Sequence, residues 1–197
     1  RDGSMSLDSA IAVKEWGALC ADLATGRRMA LVRKGGVADG ADGFIVEHPE
    51  FWLLPTQFHQ APRDLIPEVA ALLPTLAPPP NGRLRLSHFA TITDLYRVES
   101  ESALPRLTGL VGLADTVVQD RFRYRRPGLW LLCLRVMAAP RPQDLDDRPE
   151  YAGCHSWVRL EQSLSTIGLT SVLSDGEFAR RRGEVSAALA GLPCQHF

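Results

Sequence analysis

Arg33-Lys34-Gly35-Gly36 places two cations directly before two glycines. Glycines free the backbone to aim successive N–H groups at one point, and with cations alongside such a turn can hold a phosphate or another anion. The same residues also make an ordinary tight turn with solvated charges. The GxxxxGK[ST] spacing of a Walker loop is absent, so the segment does not specify a nucleoside-triphosphate cradle. A second basic segment, Arg121-Phe122-Arg123-Tyr124-Arg125-Arg126, interleaves arginines with aromatic residues. Arginines clamp phosphates and rings stack on bases. Read as a strand, the segment puts Phe122 and Tyr124 on one face, either a stacking face or a core face, with Arg121, Arg123 and Arg125 on the other. Arg180-Arg181-Arg182 reads as a solvated helix face.

His48, His59 and Gln60 bracket the apolar run Phe51-Trp52-Leu53-Leu54-Pro55. A histidine there can serve as a general base or a structural hydrogen-bonding partner, and Gln60 can read a base edge. His59 is the best single catalytic candidate. Cys154 and His155 would complete a zinc-type donor set with these histidines, but no pair among them has the close spacing of a ligand pair, so no metal and no cofactor are assigned. Asp94, Glu99, Asp115, Asp120 and Glu161 are scattered rather than gathered into a metal-nuclease signature. There is no GxSxG elbow, and Cys154 and His155, if on a strand, would point to opposite faces. Whether the chain is an enzyme is not specified.

These groups need a scaffold. Ala12, Trp16, Leu19 and Leu23 recur at helical spacing, with Ser6 or Asp8 as N-cap and Gly26 beyond the end, and predict a first helix. Met29–Val32, Phe44–Val46 and Phe51–Leu54 read as strands, and Leu65, Val69, Leu72 and Leu76 as a second helix. Alternation from Arg83 to Ile92 predicts a two-faced strand. Helical stretches follow over Ser102–Leu110 and from Asp115, then an apolar central strand over Leu129–Val136. Pro140–Pro149 reads as a polar loop and Ser156–Leu160 as a strand. Ser174-Asp175-Gly176-Glu177 is a capping box opening a last helix with Phe178, Val185 and Leu189 inward. Trp16, Leu31, Trp52, Leu132, Leu134 and Trp157 are the expected core. With no regular βαβ rhythm, the fold class is α+β, a mixed and partly antiparallel sheet, with barrel-like closure as one form of it, flanked by amphipathic helices.

The chain has 197 residues, a size that buries a core without needing a disulfide or metal. Arg1–Met5 reads as an expression-vector remnant, 6–160 as the main domain and 161–197 as a C-terminal helical extension packed on it. The net charge of −1 gives no global pull toward phosphate or anionic lipid, so any nucleic-acid surface must be a local patch. Four widely spaced cysteines without a CxxC pair argue against a secreted disulfide framework. With no transmembrane-length run and no signal-peptide core, the expected place is the cytoplasm, away from membranes.

Lys14-Glu15-Trp16, Leu31-Val32-Arg33-Lys34-Gly35-Gly36, Phe51-Trp52-Leu53-Leu54-Pro55-Thr56 and His59-Gln60 come in that order. Arg121-Phe122-Arg123-Tyr124, Leu134-Arg135-Val136 and Tyr151-Ala152-Gly153-Cys154-His155-Ser156-Trp157 follow. Together they resemble the bacterial domain-of-unknown-function family 1802, from about Val13 to Leu160, with the C-terminal helix outside the resemblance. Members are sometimes associated with restriction-type endonuclease domains, which implies a restriction–modification or DNA-processing setting and a separate nuclease subunit as partner. The resemblance transfers no catalytic residue.

The resulting expectation is an accessory nucleic-acid-binding or sensing domain for DNA or RNA. Its binding residues would be Arg33, Lys34, Gly35, Gly36, His59, Gln60, Arg121, Arg123 and Arg125. In general plan it is similar to pseudouridine-synthase-archaeosine-type base-recognition domains, a fold-level analogy. The alternatives are a metal-dependent nuclease or other hydrolase using His59, and a small-molecule nucleotide binder using Lys34-Gly35-Gly36.

Overall fold

The computed structural model describes residues 8–34, 46–57, 60–77, 79 and 81–197. Eight strands form one mixed sheet: β1 (Asp8–Trp16), β2 (Ala30–Arg33), β3 (Glu50–Thr56), β4 (Arg83–Val98), β5 (Leu129–Asp146), β6 (Trp157–Ser165), β7 (Thr170–Ser171) and β8 (Cys194–His196). The spatial order is β2-β5-β4-β3-β1-β6, with β7 added on β5 and β8 on β4. β1 and β3 run parallel and the other pairs are antiparallel. The sheet is open rather than a closed barrel: among the described residues, edge strands β2 and β6 pair on one side only. Helices α1 (Gly17–Ala24), α2 (Pro67–Ala70), α3 (Asp115–Arg123) and α4 (Asp175–Ala188) complete the α+β domain.

Successive strand residues point to opposite faces, and here both faces are buried. Val13, Phe51 and Leu53 join the larger core with α1, α3 and α4, while Ala12, Trp52 and Leu54 join a second core with Leu86, Phe89, Leu145 and Leu160. Leu31, Trp52, Leu132 and Leu134 are buried as expected, whereas Trp16 and Trp157 are only partly buried.

Several sequence expectations change. The predicted first helix is a strand up to Trp16, and only Gly17–Ala24 is helical. Ala12 and Val13 lie between β3 and β6 with one residue in each core, a two-sided burial that overrides the 3.6-residue spacing. The second helix shrinks to the short α2 and a 3-10 turn at Leu73–Thr75. Pro74 supplies no N–H and would clash with the carbonyl four residues back. Ser102–Leu110 becomes a 3-10 segment, Glu101–Leu107, around Pro105. Phe44 and Ile45 lie outside the described residues, and Val46 is not in a strand.

Pro140–Pro149 is not simply a loop, because β5 continues through it to Asp146. The ladder jumps from Leu86↔Gln143 to His88↔Ala138, and that irregularity takes in Pro140 and Pro142 where no ladder donor is required. Arg85 then grips Asp144 across the strands with two bonds of 2.7 and 2.8 Å. A second shift, between Ile92 and Asp94, inserts Thr93 as an extra residue and re-aims Asp94 into the interior.

The capping box at Ser174 and Glu177 is present, and Phe178, Val185 and Leu189 face inward. The 161–197 segment adds strands as well as the helix, through the end of β6, β7 on β5 and β8 on β4. Its arginine run is not a solvated face: Arg182 ion-pairs with buried Asp94, and Arg181 donates to the Arg27 carbonyl. Only Arg180 forms the exposed i,i+4 pair, with Glu184.

Candidate functional site

The parallel strands β1 and β3 end side by side, with Glu15 opposite Pro55 and Trp16 opposite Thr56. β1 then turns directly into α1, so donors and acceptors from four segments crowd one spot. The Glu15 carboxylate is buried and accepts from the Trp16 N–H at 2.8 Å and from the Arg33 guanidinium at 3.1 Å. Arg33 also donates to the Lys14 carbonyl at 3.1 Å. Gln60 arrives from the loop after β3, where its side-chain oxygen accepts from Ala18 N–H at 3.1 Å and its amide nitrogen donates to Gln57 at 3.0 Å. Gln60 thereby satisfies one of the free donors at the start of α1. Thr56 donates to the Glu15 carbonyl at 3.2 Å.

Arg121 comes from α3, not from a strand. In α3, Val118 and Phe122 pack into the core one turn apart, and Arg121 and Arg123 occupy the last turn, where cations complement the helix dipole. Phe122 and Tyr124 therefore do not share a face: Phe122 is buried while Tyr124 is 52% exposed. The Arg121 guanidinium lies over the Trp16 ring at 5.0 Å and makes one long bond, 3.4 Å, to the Val32 carbonyl. Burial holds its pKa below the ordinary arginine value, with Glu15 acting the other way and Arg33 reinforcing the drop. It remains a cation, with most of its five donors not taken by the described residues.

Lys34 is committed elsewhere. Its ammonium donates to the carbonyls of Phe122 (3.0 Å), Gly128 (2.7 Å) and Arg126, closing the C-terminal end of α3. Burial lowers its pKa, and neighbouring Arg97 adds to that. With all three protons used, Lys34 anchors the turn rather than offering a free phosphate ligand.

The turn that Lys34 holds is the most exposed part of the basic segment. Arg125 adopts φ 60°, a left-handed conformation uncommon for a non-glycine residue, and its guanidinium lies 5.1 Å from the Tyr124 ring centre. Arg123 is ion-paired with Glu101, and Arg97 sits over the Trp130 ring at 4.4 Å. Arg125 and Arg126 are exposed and make no ion pair among the described residues.

The structure thus brings Arg33, Lys34, Gln60 and Arg121 to one end of the sheet, with Arg123 and Arg125 beside them. Gly35, Gly36 and His59 lie outside the described residues. His48 is elsewhere, edge-on to Trp157 at 5.8 Å, and lines a 190 Å³ recess with Asp8 and Glu50, whose charge is opposite in sign to the Arg33–Arg126 end. The scattered acids do not converge: Asp94 pairs with Arg182, Glu99 with Arg97 and Glu161 with Arg148, and Asp115 accepts from Thr108. Sequence reasoning missed Glu15 and Trp16 as site residues. The helical spacing of Ala12, Trp16, Leu19 and Leu23 hides the strand end that brings both to Arg33 and Arg121.

A family model described as "Domain of unknown function (DUF1802)" matches residues 12–184. The chain belongs to this family. The match runs past Leu160 and takes in α4 as far as Glu184. No curated protein matches the chain. A solved structure, the crystal structure of ASCH from Zymomonas mobilis, is similar over 88% of this chain and 93% of that one, at 10% identity and a TM-score of 0.42, too distant to bear on function. In this DUF1802 member, the Lys14-Glu15-Trp16 segment meets Arg33 and Arg121 through the contacts above, and Gln60 meets Ala18 just beyond it. On the other side of β1, Lys14 reaches the Tyr151 and Gly153 carbonyls at 2.9 and 2.6 Å and so ties down the loop before β6.

Proposed function

We propose that this protein binds nucleic acid at the end of the sheet formed by Trp16, Arg33, Arg121 and the Tyr124–Arg126 turn. The observation that carries this reading is the turn itself. An exposed tyrosine ring projects between arginines, two of which lack acidic partners among the described residues, in a chain whose net charge is −1. Solvated cations on an ordinary surface are interspersed with acids. Here the cations cluster, and an aromatic face offers stacking beside phosphate contacts. Arg121 adds a cation with donors to spare over the Trp16 ring. Within this reading the domain is an accessory binding module, and a separate nuclease would be the enzyme it serves.

The test is fluorescence anisotropy with labelled single-stranded DNA and RNA at two or more salt concentrations. Arg125→Ala with Arg126→Ala should weaken binding to every sequence and reduce the salt slope by about 0.7 for each phosphate that is no longer neutralised. Tyr124→Ala should cost about 1–3 kcal/mol of binding, the worth of one stacked base. All three residues are exposed, so the variants should keep the wild-type melting temperature. An unchanged affinity and salt slope in the double arginine variant would remove this surface from the reading.

A further inference from the structure

Beside the middle of α4, three side chains with metal-ligating atoms meet that no local pattern in the sequence connects. Cys194 and His196 are two apart on β8, so they share one face of the strand. β8 pairs with β4 so that His196 lies opposite Asp94 and Cys194 opposite Tyr96. The extra residue Thr93 in β4 turns the Asp94 carboxylate under that face. His196 Nδ1 is 2.6 Å from an Asp94 oxygen and 3.9 Å from the Cys194 sulfur. Among the described residues this is the group of His, Cys, Asp and Glu side chains whose ligand atoms all converge, within 4.8 Å of one another.

We propose that Asp94, Cys194 and His196 form a binding site for a divalent transition metal of the zinc type. Thiolate, imidazole and carboxylate are the three donor classes that such an ion accepts, and three protein ligands leave a fourth position for water. With metal–nitrogen and metal–oxygen bonds of about 2.0–2.1 Å and metal–sulfur of about 2.3 Å, a tetrahedral site needs N···O and N···S separations of about 3.3 and 3.6 Å. The His196–Asp94 contact must open and the His196–Cys194 contact tighten, each by under about 1 Å. Movement of the exposed His196 ring on the short β8 supplies this.

The ion takes the place of the proton between His196 Nδ1 and Asp94, which passes through solvent to Nε2. On binding, the Cys194 thiol loses its proton to solvent. A neutral His196 carries its ring proton on Nε2, leaving Nδ1 for the metal. Arg182 grips both carboxylate oxygens, donating to Oδ2 at 2.7 Å and at 2.8 Å to Oδ1, the oxygen that meets His196, and Thr93 donates to Oδ2 at 2.9 Å. These bonds fix the orientation of the Asp94 ligand. Its buried negative charge, opposite the cation of Arg182, is the anchor of the site.

The experiment is titration of the reduced, full-length chain with Co²⁺, followed by Zn²⁺ competition. The wild type should develop a thiolate-to-cobalt charge-transfer band at one equivalent, and Zn²⁺ should abolish it and raise the melting temperature by joining β8 to β4. Cys194→Ser should lose the band, and His196→Ala should weaken binding at least about tenfold. Cys154→Ser, which changes the exposed cysteine outside the cluster, should retain both signals. Cys194 and His196 both lie on the short β8, Cys194 half-buried and His196 exposed, and circular dichroism checks that their variants fold. The proposal is overturned if the wild type shows no thiolate band, or if band and thermal shift survive Cys194→Ser and vanish in Cys154→Ser.

Discussion

Trp52→Ala should lower the unfolding free energy by about 3–5 kcal/mol, the usual cost of removing a large aromatic from a packed core. Trp52 is fully buried in the middle of the sheet, where β3 pairs with β1 on one side and β4 on the other. Its ring meets Phe89 edge-to-face at 5.3 Å and belongs to the core with Leu86, Leu145 and Leu160. Truncation removes transfer free energy and leaves a cavity that paired strands on both sides keep from collapsing. Trp52→Phe should cost clearly less, since the indole N–H has no hydrogen-bond partner among the described residues and its removal sacrifices no bond. Urea or guanidinium unfolding measures both variants. A loss below about 1 kcal/mol for the alanine variant would show that this core repacks.

Glu15→Ala should cost a similar amount, about 3–5 kcal/mol, because it removes one partner of a buried ion pair. The carboxylate is buried and is the ion-pair partner of Arg33, whose side chain is only 11% exposed. Arg121 also feels Glu15 as an opposing charge. Removing it leaves Arg33 without its carboxylate and strands the Trp16 N–H, which now donates to Glu15. Glu15→Gln should recover part of the loss by retaining an acceptor for Trp16 while still lacking the charge. The comparison is read as the denaturant midpoint at constant slope. A midpoint unchanged in Glu15→Ala would mean that the Arg33 charge is held without the Glu15 carboxylate.

The sequence alone determined the α+β class, most of the strands, the capping box of α4, the core residues Leu31, Trp52, Leu132 and Leu134, and the family, because these are written in local patterns. Alternation, capping spacing and apolar runs act over a few residues. The tertiary structure decided what long-range pairing controls. Residues 12–16 carry a helical spacing, yet they form β1 because strands some 40 and 145 positions later pair with both of its edges. The basic segment has the alternation of a strand, yet Arg121 and Phe122 are helical because Phe122 and Val118 find a core one turn apart. Lys34 has the sequence context of an anion ligand, but only the folded chain shows the three α3-end carbonyls that use its protons. Glu15 with Arg33, and Asp94 with Cys194 and His196, join residues 18 to 102 positions apart. No local pattern encodes such pairs, since what brings them together is the register of the sheet.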